Sequence, residues 1–343
     1  MSMWNFVGNE HVVSLLAKSV TKGRISHSYL FSGPSNVGKE TLAIKFAQFL
    51  QCKDFSSEGP CGACLSCWKI SQENHPDVRF IEVNPEKNIS GNKFSVGIED
   101  IIDIQRTFIL KPLEGMYRIF VFREASLLTA DALGALLKWI EEPPPNVIFL
   151  LITNNFAAMM PTITSRCQMI ALTHVSQEKI ESTLTQFSYG DQKQRIELSK
   201  LSRGSIGWAI SASEKPEIID DYKDRIYVAS TLLESDLESR LEYAQDIDKM
   251  FRSDKEEAIR NLGVLMSWWR DLMIIKNGLR ESVLNTFALD VLLRHCSMMS
   301  NFQILTFIRK IEDTIGLLNK NVNSRLVLDS LMLSVPGKLE NNE

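Results

Sequence analysis

The chain has 343 residues, 44% of them hydrophobic and 23% charged, with a net charge of −4. That composition is of an ordinary globular protein with room for two or three domains; its apolar runs fall short of the roughly 18–20 residues of a membrane span. It excludes a strong global positive field for nucleic acid, so any such contact needs a local patch or a partner.

No basic segment followed by an apolar run opens the chain, so no secretory signal is expected and the expected location is the cytoplasm. A helical pattern around "HVVSLLAKSV" is followed by a short apolar strand, "SYLFSG", a glycine loop, and a second helix, "ETLAIKFAQFL". Residues 52–67 hold four of the six cysteines. "DVRFIEV" (77–83) reads as a strand and "IEDIIDIQRTFIL" (98–110) as a helix. "YRIFVF" (117–122) is a continuous apolar strand suited to the middle of a parallel sheet. "TADALGALLKWIEE" (129–142) is a helix stopped by Pro143 to Pro145, and "NVIFLLITNN" (146–155) is the last core strand. Alternating strands and helices predict a parallel α/β core over about residues 1–172.

The character then changes. Residues 175–215 read as short helices with a turn at "RGSIG", and from about 218 the pattern is helical throughout. Leu233, Leu237 and Leu241 repeat at i, i+4, i+8, and "LGVLMSWWRDLMII" and "LTFIRKIEDTIGLL" continue the pattern. Trp268 and Trp269 are read as packing residues, His295 and Cys296 as core or surface filler, and the polar tail "GKLENNE" as frayed.

"LFSGPSNVGKET" is nearly a phosphate loop, G-x-x-x-x-G-K. Gly33 and Gly38 let backbone N–H groups turn toward a phosphate, and Lys39 would meet its oxygens. The next position should carry the hydroxyl that ligates Mg²⁺, but it is Glu40. Thr41 comes one residue late, which on a helix turns its hydroxyl about 100° away. The apolar strand that should end in Asp-Glu ends in Arg123 and Glu124. A cation in the Mg²⁺ position is incompatible with ordinary hydrolysis chemistry. Loop hydroxyl and strand Asp normally meet at one metal ion, so Glu40 and Arg123 are expected to approach as a salt bridge in its place.

Cys52, Cys61, Cys64 and Cys67 form C-x8-C-x2-C-x2-C. Four thiolates at that spacing suit a tetrahedral, structural Zn²⁺; an iron–sulfur cluster and free thiols are the alternatives. Arg166 lies in "PTITSRC" (161–167), after the core strand.

Taken together, "HSYLFSGPSNVGKE", the cysteine cluster, "HPDVRFIEV", "REASLLTADALGALLKWIEEPP", "FLLITNN", "PTITSRCQ" and "NKNVNSRL" resemble, in order and spacing, the clamp-loader branch of the AAA+ ATPases. The resemblance covers nearly the whole chain. It implies an α/β AAA+ core (1–172) with a zinc module at 52–67, a small helical lid (173–217) and an all-α collar domain (218–343) for hetero-oligomerisation. It implies work within the DNA polymerase III holoenzyme beside motor subunits (gamma/tau) and a delta subunit, loading a sliding clamp onto primed DNA. It carries over to Arg166 the role of an arginine finger, acting in trans on a neighbour's ATP site, and to Asn154 that of a polar sensor. The lid arginine expected in "GSIGWAI" is replaced by Trp208. With the contributions of positions 40, 123 and 208 lost and Arg166 kept, the resemblance implies a stator-type subunit without ATPase activity of its own. Intact Lys39 and Glu124 leave an ATP-hydrolysing motor subunit, or one that holds a nucleotide without turnover, as an alternative. A pure scaffold with a structural Arg166 is a third.

Overall fold

In the computed structural model, which describes residues 3–56, 58–81, 104–318, 320 and 322–336, the first strand is β1 (Ser28–Ser32), every residue of it buried. It lies beside β4 (Val147–Thr153), also buried throughout. β2 (Val78–Ile81), β3 (Arg118–Phe122) and β5 (Gln168–Ala171) complete a five-stranded sheet of order β2-β3-β4-β1-β5, with every pairing parallel. Central strands covered on both faces need continuous apolar runs, which is why "RIFVF" and "VIFLLIT" show no alternation.

Successive side chains of β1 still divide between two cores. Tyr29 and Phe31 pack with Leu42 and Phe46 of α2 (Lys39–Gln51) and Val13 and Leu16 of α1 (Glu10–Thr21). Leu30 faces the opposite core, with Phe120, Phe149 and Phe108, and with Leu136 and Ile140 of α4 (Ala130–Glu141). Phe108 meets Phe120 and Phe149 edge-on at 4.5 and 5.1 Å. Thr129 caps α4 by accepting the Ala132 N–H at 3.1 Å, and the prolines end it as expected. α3 (Leu65–Ser71) follows α2, and α5 (Pro161–Thr164) precedes β5.

The chain divides into two compact units, Met1–Ile210 and Ser211–Glu343. The first also holds α6 (Gln177–Gln186) and α7 (Gln192–Leu201), and α8 (Ile206–Glu214) runs across the division. The parallel α/β core is thus followed by helices alone among the described residues. The second unit comprises α9 (Glu217–Thr231), α10 (Leu237–Ser253), α11 (Lys255–Lys276), α12 (Leu289–Met298), α13 (Asn301–Leu318) and α14 (Ser324–Leu333). Trp268 and Trp269 are buried in its core, Trp269 lying 4.3 Å from Phe307, and His295 and Cys296 are buried on α12. Arg240 is fully buried and donates to the carbonyls of Leu232, Leu233 and Val335, just past the C-terminal ends of α9 and α14. Helix C-termini are where a buried cation is best compensated.

Two expectations need correction. The last core strand is β5, not β4: "QMIA" has four residues with only Ile170 buried, too short a pattern to register as a strand. The leucine repeat is not one stripe, because the chain turns after Thr231 and α10 starts only at Leu237, with Asp236 as its cap. The buried face of α10 is Arg240, Ala244 and Ile247 instead. Residues 98–103 of the predicted helix and the tail 337–343 lie outside the described residues; 104–108 are helical.

Candidate functional site

The carboxyl ends of adjacent strands β1, β4 and β3 place Gly33, Asn154 and Arg123 at one edge of the sheet, where ligand sites of open α/β folds lie. The loop from Gly33 to Gly38 needs both glycines. Gly33 has φ +148° with the Leu172 carbonyl 2.3 Å from where a Cβ would stand, and Gly38 has φ +94° with the Phe6 ring at 2.9 Å. Lys39 is buried, and its ammonium donates to the Gly33 carbonyl at 2.9 Å and to that of Pro34. On the other side, the loop meets backbone from the start of α8: the Gly207 N–H donates to the Asn36 carbonyl at 2.8 Å, and Ser205 Oγ to that of Ser35 at 3.3 Å. A Cβ on Gly207 would stand 2.9 Å from the Asn36 oxygen, so that close approach requires glycine.

The expected Glu40–Arg123 pair is present: Arg123 Nε lies 2.6 Å from Glu40 Oε1. The Nε–H is not aligned for a hydrogen bond, so this is a charge contact. A second carboxylate, Glu73, binds Arg123 Nη2, and the guanidinium lies 5.1 Å over the Phe80 ring. Arg123 is mostly covered while both glutamates remain partly exposed. Next to it, Glu124 adopts φ 51° and accepts from Asn154 Nδ2 at 2.5 Å. Trp208 is half-buried in α8.

Arg166 lies away from this cluster, between α5 and β5. Its carbonyl accepts from Ser28 Oγ at 2.9 Å, pinning the backbone to β1. Its side chain is 41% exposed, with Nε 2.8 Å from Glu141 and Nη1 donating to the Thr162 carbonyl at 3.0 Å and Ser165 Oγ at 3.2 Å. Burial pushes the neighbouring Cys167 thiol up to about 11.

The sulfurs of Cys52, Cys61, Cys64 and Cys67 all lie within 4.8 Å of one another, with Cys52 and Cys64 at 4.0 Å. A tetrahedral zinc with bonds of about 2.3 Å spaces its sulfurs by about 3.8 Å, so the four thiols fit such an ion. The Cys64 and Ala63 N–H groups lower the Cys61 thiol to about 7, while burial raises Cys52 and Cys67.

The chain matches the family described as DNA polymerase III, delta subunit, over residues 8–176. It is 24% identical to DNA polymerase III subunit delta′ of Bacillus subtilis over 94% of this chain and 94% of that protein. The chain is thus similar, over nearly its whole length, to a subunit of DNA polymerase III. It is 31% identical to subunit tau/gamma of Haemophilus influenzae over 66% of its own length, but spans only 32% of that relative. A solved structure of a gamma subunit-related protein from Thermotoga maritima is similar over 94% of this chain, with 17% identity and a TM-score of 0.44.

In this chain the sequence points to Glu40 and Arg123 but not to Glu73. Glu73 follows α3 in a left-handed turn, φ 55°, with no motif to mark it. Its only signal is position: α3 begins at the third cysteine and carries the fourth, so the cysteine cluster delivers Glu73 to the loop. The sequence marks Glu141 only as the end of a helix. No helix among the described residues is long and apolar enough to cross a membrane.

Proposed function

We propose that the chain is the stator-type, delta-prime subunit of a DNA polymerase III clamp loader, without ATP hydrolysis of its own. The observation that carries this is Arg123, a fixed cation held by Glu40 and Glu73 beside the phosphate loop. Its positive charge stands where the family's hydrolysing members need an acidic metal ligand. Lys39, which would meet the phosphate oxygens, is committed to the loop's own carbonyls. Gly33, Gly38, Lys39, Glu124 and Asn154 are then the remains of a nucleotide site.

Arg166 is the residue proposed to act, in trans, on the ATP site of a neighbouring gamma/tau subunit. A guanidinium offers planar, permanently charged donors to the oxygens of a transferring phosphate, which in related systems is worth several orders of magnitude in rate. The Ser28–Arg166 backbone bond fixes where the side chain starts. In this reading residues 173–217 are the lid and 218–343 the collar. The delta subunit, the sliding clamp and primed DNA are reached through the assembled complex. Cys52, Cys61, Cys64 and Cys67 would hold zinc, which supplies a structural cross-link between the end of α2 and α3. A motor-type subunit is the second reading, favoured by the intact Glu124–Asn154 pair and Lys39.

The test is ATP turnover by the cognate motor subunits reconstituted with this chain or its Arg166→Ala variant. Loss of at least tenfold in turnover with assembly intact is expected. Unchanged turnover would leave only a scaffold.

A further inference from the structure

The arginine assigned above to a neighbour's ATP site is not free to reach it. Its Nε lies 2.8 Å from the Glu141 carboxylate, and Nη1 folds back onto the Thr162 carbonyl of the preceding turn and onto Ser165 Oγ. Bidentate pairing with a phosphate takes two adjacent N–H groups of one guanidinium edge. Nη1 is already donating, and Nε stands in charge contact with the Glu141 carboxylate, so a phosphate approaching either edge of Arg166 meets a donor in use or an opposing carboxylate. An incoming phosphate therefore has to displace Glu141 or Thr162.

Glu141 has no local reason to be where it is. It is the last residue of α4, where a carboxylate opposes the negative end of the helix dipole. Its contact with Arg166 offsets that. The pair is weak, because both side chains are 41% exposed and solvent screens them. It is strong enough to hold the guanidinium while no phosphate is near, and weak enough to be exchanged for a multiply charged phosphate. The backbone does not take part in the exchange, since the Arg166 carbonyl is tied to Ser28.

We propose that Glu141 parks Arg166, competing with the phosphate of the neighbouring subunit's ATP and so setting how tightly that nucleotide is engaged. This rests on the trans role of Arg166 proposed above. Glu141 is a positioning residue and touches no reacting atom.

The experiment compares wild type, Glu141→Gln, Arg166→Ala and the double variant, each assembled with the cognate motor subunits, and measures kcat and KM for ATP separately. Freeing an exposed ion pair predicts that Glu141→Gln lowers KM about two- to fivefold and leaves kcat no lower. The double variant then behaves as Arg166→Ala. Glu141→Asp, which keeps the charge, is expected to return KM toward the wild-type value, a rescue that a purely structural glutamate would not show. If Arg166→Ala collapses turnover but Glu141→Gln leaves KM unchanged, or lowers kcat, parking is overturned and the trans role stands. If Arg166→Ala leaves turnover intact, the trans role falls and the parking with it. Matching thermal melts of the isolated variants exclude misfolding as the cause.

Discussion

Replacing Arg123 with Met keeps the volume of the side chain but removes the cation shared by Glu40, Glu73 and the Phe80 ring. Each of the two ion pairs has a partly exposed carboxylate, so each contributes about 0.2–1 kcal/mol. The contact with Phe80 adds about 0.5–1 kcal/mol. The variant also leaves Glu40 and Glu73 facing one another without a cation between them. The expected loss is about 1–3 kcal/mol, local to the ends of α2 and β3. It is best read by native-state hydrogen exchange of the full chain, where amides of residues 39–44 and 118–124 should exchange about 5- to 150-fold faster. In a Glu40→Gln, Glu73→Gln background the same replacement should cost little, and in about 1 M salt the effect should shrink. Protection unchanged by Arg123→Met, or changed equally in both backgrounds, would refute the idea that this cluster is what fills the site.

Three further outcomes follow. Arg240→Met leaves the carbonyls of Leu232, Leu233 and Val335 without their donor; at about 1 kcal/mol or more each, the loss is about 3 kcal/mol or more, visible as a melting temperature lower by several degrees. Asp77 is buried, which by itself would raise its pKa, but the N–H groups of Leu113, Glu114 and Gly115 hold it below the usual value. Its contribution is therefore present above the unfolded pKa of about 3.9 and is lost as pH falls through the lower folded value. Asp77→Asn should cost about 2 kcal/mol in urea unfolding at neutral pH, and the gap to wild type should close in acid. For the thiolate centre, the metal content of purified protein should be about one zinc per chain, lost in Cys64→Ser, with chelation destabilising the chain by several kcal/mol. Full stability after chelation would make the cysteines free thiols.

The sequence was most legible where one chemical demand fixes both residue type and spacing. Gly33, Gly38 and Lys39 announced the loop, and because two of its expected groups had changed to opposite charges, their meeting could be anticipated across 83 positions of chain. The cysteine spacing likewise anticipated a cluster within reach of one ion. What stayed hidden depended on tertiary placement. Glu73 is one acidic residue in a turn, and nothing local distinguishes it from a solvated charge. Gly207 meets Asn36 by a backbone hydrogen bond, which leaves no side-chain signature. β5 is a four-residue edge with only Ile170 buried, so its pattern is too short to read. The leucines at 233, 237 and 241 misled because periodicity does not reveal a turn between the first and the second; the cap at Asp236 was the better signal.

The most direct measurement is steady-state ATP hydrolysis by the purified full chain with primed DNA present, using Lys39→Ala to correct for contaminating ATPase. The account predicts no turnover above that control. Turnover that disappears in Lys39→Ala would contradict it, because it would mean that a site holding Arg123 between Glu40 and Glu73 still performs hydrolysis, and that the chain is a motor subunit.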